Sequence, residues 1–236
     1  MELSLNPRRV VVTMLTIIVV LTALHISQLV IFFQVGDPDK FDFIEMLDFD
    51  YEANLPSFYS SAAILFCAAL LWLISAYKRR ERLPYRFHWL GLAVIFSLLG
   101  LDEAISLHEE LGDFMEHLEL FDASGYLYFA WVVPYAIALS MFVLSYLKFV
   151  LALPRSTKLL FIVSGVLFVT GAMGIELISA NEADSHGTDT ILYSALYTAE
   201  ELCEMFSIVI FCYALMRYIE REQIQFAFRI QSRKPG

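Results

Sequence analysis

Six long apolar blocks divide this chain, and they constrain its fold more than any other feature. A helix needs about 20 residues to cross a hydrocarbon core. Blocks of that length fall at about 10–33, 57–77, 87–107, 126–147, 159–180 and 191–217. The apolar residues come in continuous runs, not in the alternating patterns of a soluble domain. With 58% hydrophobic and only 18% charged residues in 236 positions, a soluble core of this size could not bury them. The expected fold is therefore all-α, a polytopic membrane protein built as a six-transmembrane-helix up-and-down bundle. It reads as one integral membrane domain over residues 1–236, with a basic cytoplasmic tail at 218–236. The first block follows Arg8 and Arg9 but is too long for the h-region of a secretory signal, so it is expected to remain as a signal-anchor helix.

Charge placement orients the bundle. Every Lys and Arg except Lys40 lies before the first span, between spans two and three, between spans four and five, or after the sixth. By the positive-inside rule both termini are expected to be cytoplasmic. The opposite loops hold the acids responsible for the net charge of −10, so the acidity marks an extracytoplasmic face. The expected setting is a bacterial inner (plasma) membrane, with membrane lipids around the bundle and a protein partner or second copy as further contacts. Nothing in the pattern points to nucleic acid.

Two of those outer loops, 34–56 and 109–122, mix acids with aromatic and aliphatic residues and read equally as a solvated acidic face or as a roof over the bundle. Cys67, Cys203 and Cys212 all lie in spans and read as packing residues. Glu182, Asp184, His186 and Asp189, between spans five and six, could hold a surface cation loosely.

The chemistry is expected where charge enters the spans. His25, Asp102, Glu103, Glu176, Glu200, Glu201 and Glu204 all lie inside apolar blocks. An ionisable side chain in a bilayer is costly and marks a functional site by default. Counting a rise of about 1.5 Å per residue from each cytoplasmic end places all of them at roughly 20–26 Å, in the outer third of the membrane. Tyr193, Tyr197, Glu200 and Glu204 share one stripe of the sixth span, and Glu201 points about 100° from Glu200.

Carboxylates crowded in low dielectric must take up protons or share a cation. Acid-rich sites with one or two imidazoles on facing helices are the pattern of carboxylate-bridged iron and manganese centres. The expected ligands of a divalent metal (iron, manganese or zinc) are Asp102, Glu103, Glu176, Glu200, Glu201 and Glu204, with His25 or His108 supplying nitrogen. Such a centre would suit an enzyme acting on a lipid-like or quinone-like substrate. Two other readings use the same residues: an accessory or scaffold subunit whose acids pair with a basic partner, and a proton or cation pathway. A phosphate-binding loop, Cys-x-x-Cys, His-Glu-x-x-His and a Gly-x-Ser-x-Gly elbow are all absent.

Overall fold

The computed structural model describes residues 5–35, 45–107, 111, 114, 124–129 and 131–225. The described residues are helical, without strands. Six helices are long and apolar enough to cross a membrane. They are α1 (Pro7–Val35), α2 (Leu55–Arg80), α3 (Arg86–Ile105), α4 (Val132–Ala152), a fifth built from α5 (Arg155–Val169) and α6 (Glu176–His186), and α7 (Ile191–Arg221). A π-helical turn, Thr170–Ile175, joins α5 to α6 without breaking the rod.

The ends of these helices follow local chemistry. Asn54 caps α2: its side chain accepts from the Ser57 amide, and the Ser57 hydroxyl accepts from the Asn54 amide. Thr190 caps α7 by accepting from the Tyr193 amide at 3.0 Å. Helix α4 stops at Ala152 because Pro154 excludes helical geometry from Leu153, which is extended at φ −66°, ψ 152°.

Helix α4 also corrects the sequence reading. It begins at Val132, not near 126, and runs to Ala152, not 147. Residues Gly125–Leu127 form a separate 3₁₀ turn. Gly125, left-handed at φ 58°, donates its amide to Asp184 Oδ2 at 2.8 Å, which ties this turn to α6 before α4 can start.

Packing centres on α2, α3 and α7. Their core includes Cys67, Leu71, Ile74, Trp89, Ala93, Cys212 and Leu215. Cys67 and Cys212 are fully buried and Cys203 half-buried, all as free thiols. By contrast Ile137, Met141, Val143, Leu144, Leu147 and Leu151 of α4 point outward, a surface suited to hydrocarbon.

Specific contacts give the bundle two unlike ends. At one, Lys78 pairs with Glu222 at 2.9 Å, and Trp89 packs on Phe149 and Tyr218. All described Lys and Arg lie toward this end. At the other, the Ser61 hydroxyl donates to the Gly100 carbonyl at 2.7 Å, and His25 of α1 meets Thr198 of α7 at 2.9 Å.

Gly100 and Gly171 permit close helix approaches toward the acidic end. A Cβ on Gly100 would lie 2.7 Å from Leu65 Cγ, a side-chain atom able to move. A Cβ on Gly171 would lie 2.8 Å from the Glu200 carbonyl oxygen and 3.0 Å from Cys203 Cβ, where helical backbone is in the way. Both alanine substitutions are expected to lower the unfolding midpoint in detergent. Gly171→Ala should cost more, about 1–3 kcal/mol. An equal or larger loss for Gly100→Ala would show that α2–α3 contact is the tighter of the two.

Candidate functional site: an acidic cluster at one level of the bundle

Five of the acids singled out in the sequence, Glu103, Glu176, Glu200, Glu201 and Glu204, fall within electrostatic reach of one another. Glu103 comes from the last turn of α3, and Glu176 from the first residue of α6, directly after the π turn. Glu200, Glu201 and Glu204 come from successive turns of α7. Gly171 lets the π turn sit against Glu200, Cys203 and Glu204, and so sets Glu176 beside them. A π turn inserts one residue into a helix and is common at functional sites, since it re-aims the side chains that follow it.

The electrostatic neighbours define the cluster. Glu103 has Glu201, Glu52 and Asp102 within electrostatic reach. Glu204 has Glu103, Glu176 and Glu52, and Glu201 has Glu204, Glu52, Glu176 and Asp50. Glu200 has Glu176, Glu204 and Glu201 within electrostatic reach. Glu200 is only 8% exposed, and its Oε2 is buried without a hydrogen-bond partner. About 25 Å of helix separates Glu103 from Arg86, the nearest described base on its own helix. The charge is therefore not balanced by the described Lys and Arg.

Two of the expected ligands have other partners. Asp102 accepts a hydrogen bond from the Tyr135 hydroxyl at 3.0 Å, which directs one of its oxygens toward α4. His25 is 0% exposed, and both ring nitrogens are engaged. Nδ1 accepts from the Phe49 amide at 3.3 Å and lies 3.5 Å from Asp48 Oδ1. That leaves Nε2 to donate to Thr198 Oγ1. The structure thus places His25 beside the acids but with its lone pair already used, and in this arrangement it offers no nitrogen to a metal. His108 lies outside the described residues, as do 36–44 and most of 109–122.

Among the described residues, no group of three or more His, Cys, Asp or Glu side chains is arranged to hold a metal ion. The acids face a shared region without converging into one coordination sphere. Two of the acids at 182–189 are committed elsewhere: Glu182 binds His186 and Thr190, and Asp184 binds the Gly125 amide.

Asp50 and Glu52 are cluster members that the sequence left in a loop. A depth count along helices cannot place a loop residue; their only signal was acidity in a segment rich in aromatics. Tyr193, on the stripe read from the sequence, donates its hydroxyl to Asp50 Oδ1 at 2.8 Å. Nearby, partial burial and then the carboxylates of Glu45, Asp48, Asp50 and Asp189 push the Tyr51 phenol above its ordinary value.

Fold and site define an all-helical protein with six helices able to span a membrane and an acidic cluster at one level. The chain belongs to the family described as Domain of unknown function (DUF8692), whose model matches residues 12–218. No curated protein and no solved structure matches it.

Tyr135→Phe deletes the hydroxyl that holds Asp102 and is expected to cost about 1–3 kcal/mol of stability. The unfolding midpoint in detergent measures it; an unchanged midpoint would mean that water replaces the phenol without loss.

Proposed function

We propose that this protein binds a divalent cation through its carboxylate cluster, at the end of the bundle that faces away from the cytoplasm. One observation carries the reading. Glu103, Glu176, Glu200, Glu201 and Glu204, from three separate spanning helices, share one region that the described Lys and Arg do not reach. A bound cation would neutralise the mutual repulsion at that level and draw the carboxylates together.

The donor set favours a hard cation. With the nitrogens of His25 engaged, the described ligands are all oxygen, which suits manganese, magnesium or calcium and disfavours zinc. Of the metals that the sequence brings to mind, manganese fits best. The ligands would come from Glu103, Glu176, Glu201 and Glu204 of the spanning helices, with Asp50 and Glu52 of the loop before α2 within electrostatic reach of them.

Sidedness rests on charge. All described bases lie toward one end of the helices, and the positive-inside rule puts that end in the cytoplasm, with both termini there. The cation would then enter from outside, across the acidic loops. A bacterial inner membrane suits this arrangement.

Elemental analysis of full-length protein purified in mild detergent without chelator tests the reading, with Glu201→Gln/Glu204→Gln alongside. Near-stoichiometric divalent metal is expected in the parent and not in the folded variant. Added Mn²⁺ should raise the parent's unfolding midpoint, by about 2.7 kcal/mol of stabilisation at 100 times its dissociation constant. The variant, relieved of like charge, should be more stable than the metal-free parent and indifferent to Mn²⁺. A parent that holds no metal and ignores Mn²⁺ refutes the reading, and a basic partner that co-purifies would then account for the acids.

A further inference from the structure

Connections between helices normally run over the surface, because buried loop backbone is hard to satisfy. The segment from Glu45 to Asn54 departs from this. Leu47, Asp48, Phe49 and Asn54 are all buried, although they belong to the link between α1 and α2. What holds them is a set of contacts centred on His25.

The Phe49 ring stacks on the His25 ring at 4.2 Å between centroids and 6° between planes. The Phe49 amide donates to His25 Nδ1. The Gln28 side chain, one turn along α1, donates to Asp48 Oδ2 at 3.0 Å, and the Asp50 amide donates to Asp48 Oδ1 at 3.2 Å. Asn54 reaches back with its side-chain amide to the carbonyls of Glu45 and Asp48. On the far side His25 is fixed to Thr198, whose hydroxyl donates to the Ser194 carbonyl. Ala53 sits at φ 55°, a left-handed conformation that a residue with a Cβ keeps only where its surroundings impose it.

The segment is therefore a strap across the acidic end, and its position determines which acids reach the cluster. Asp50 is held by the Tyr193 hydroxyl of α7, and Asp50 and Glu52 fall within electrostatic reach of the spanning carboxylates. We propose that His25 is a positioning residue for the cation site and not a ligand in it. It latches the strap that carries Asp50 and Glu52 onto the spanning carboxylates, so site and strap close together. This rests on the cation reading above. Because part of the site sits on the strap, cation binding and strap docking must favour one another to the same degree.

The test uses full-length protein in mild detergent and two readouts. Amide hydrogen exchange by mass spectrometry follows residues 45–54, and loss of the free Mn²⁺ paramagnetic resonance signal gives Mn²⁺ affinity. His25→Phe keeps a ring against Phe49 but has no nitrogens. It should strip protection from 45–54 while α2 keeps its own, and weaken Mn²⁺ binding about 10- to 100-fold, the usual range for a group that orients ligands. In an Asp50→Asn/Glu52→Gln background His25→Phe should cost no further affinity, and Mn²⁺ should raise protection of 45–54 in the parent protein only.

Unchanged protection in His25→Phe overturns the latch. An undiminished effect of His25→Phe in the Asp50→Asn/Glu52→Gln background overturns positioning in favour of direct ligation. Mn²⁺ binding that leaves protection of 45–54 unaltered overturns delivery of the loop acids. If the parent binds no Mn²⁺, the cation reading is what fails, and the exchange result alone decides whether His25 holds the strap. Should His25→Phe not fold, Thr198→Val removes only the partner of Nε2 and is expected to act in the same direction with a smaller effect.

Discussion

Carboxylates gathered in a medium of low dielectric repel one another with little screening, and among the described residues no Lys or Arg lies at the level where they gather. The rest of the acidic end is arranged around that repulsion. Asp102 turns one oxygen to Tyr135. The remaining acids leave a deficit of positive charge among the described residues, which protons, a cation or a basic partner could meet.

Holding like charges together requires a frame stiff enough to resist them, and the structure provides it below and beside the acids. Helices α2, α3 and α7 lock through fully buried side chains such as Leu71, Trp89 and Leu215. The fifth spanning helix approaches α7 through Gly171, and the π turn gives the register that sets Glu176 against Glu200. At the opposite end the aromatic side chains around Trp89 and the Lys78–Glu222 pair close the bundle. The charge asymmetry of the sequence thus becomes a physical polarity of the molecule, with one end packed and basic and the other acidic and polar.

The strap adds an element that no helix supplies. A buried loop must satisfy its polar groups, and here His25 and Asn54 bond its backbone while Gln28 and Tyr193 bond the carboxylates of Asp48 and Asp50. Two of its acids then join those of the spans. The histidine that looks like a ligand when read as a residue type behaves, in its surroundings, as the point where loop and bundle meet.

The sequence by itself determined the helical class and six apolar helices of spanning length, and it singled out Glu103, Glu176, Glu200, Glu201 and Glu204 as acids inside those helices. These follow from hydropathy, length and a fixed rise per residue, all of which act locally along the chain. Helix starts and stops differ from the sequence reading most at α4, where residues 125–127 form a separate turn tied to Asp184, and at the end of the fifth spanning helix, which runs to His186 and not 180. Only the tertiary structure decided that His25 spends its nitrogens on Phe49 and Thr198, that Asp102 turns to Tyr135, and that Asp50 and Glu52 enter the cluster. Those outcomes depend on which groups meet across separate elements. A periodicity fixes the height and direction of a side chain on its own helix, but its partner is chosen by packing between segments far apart in the chain.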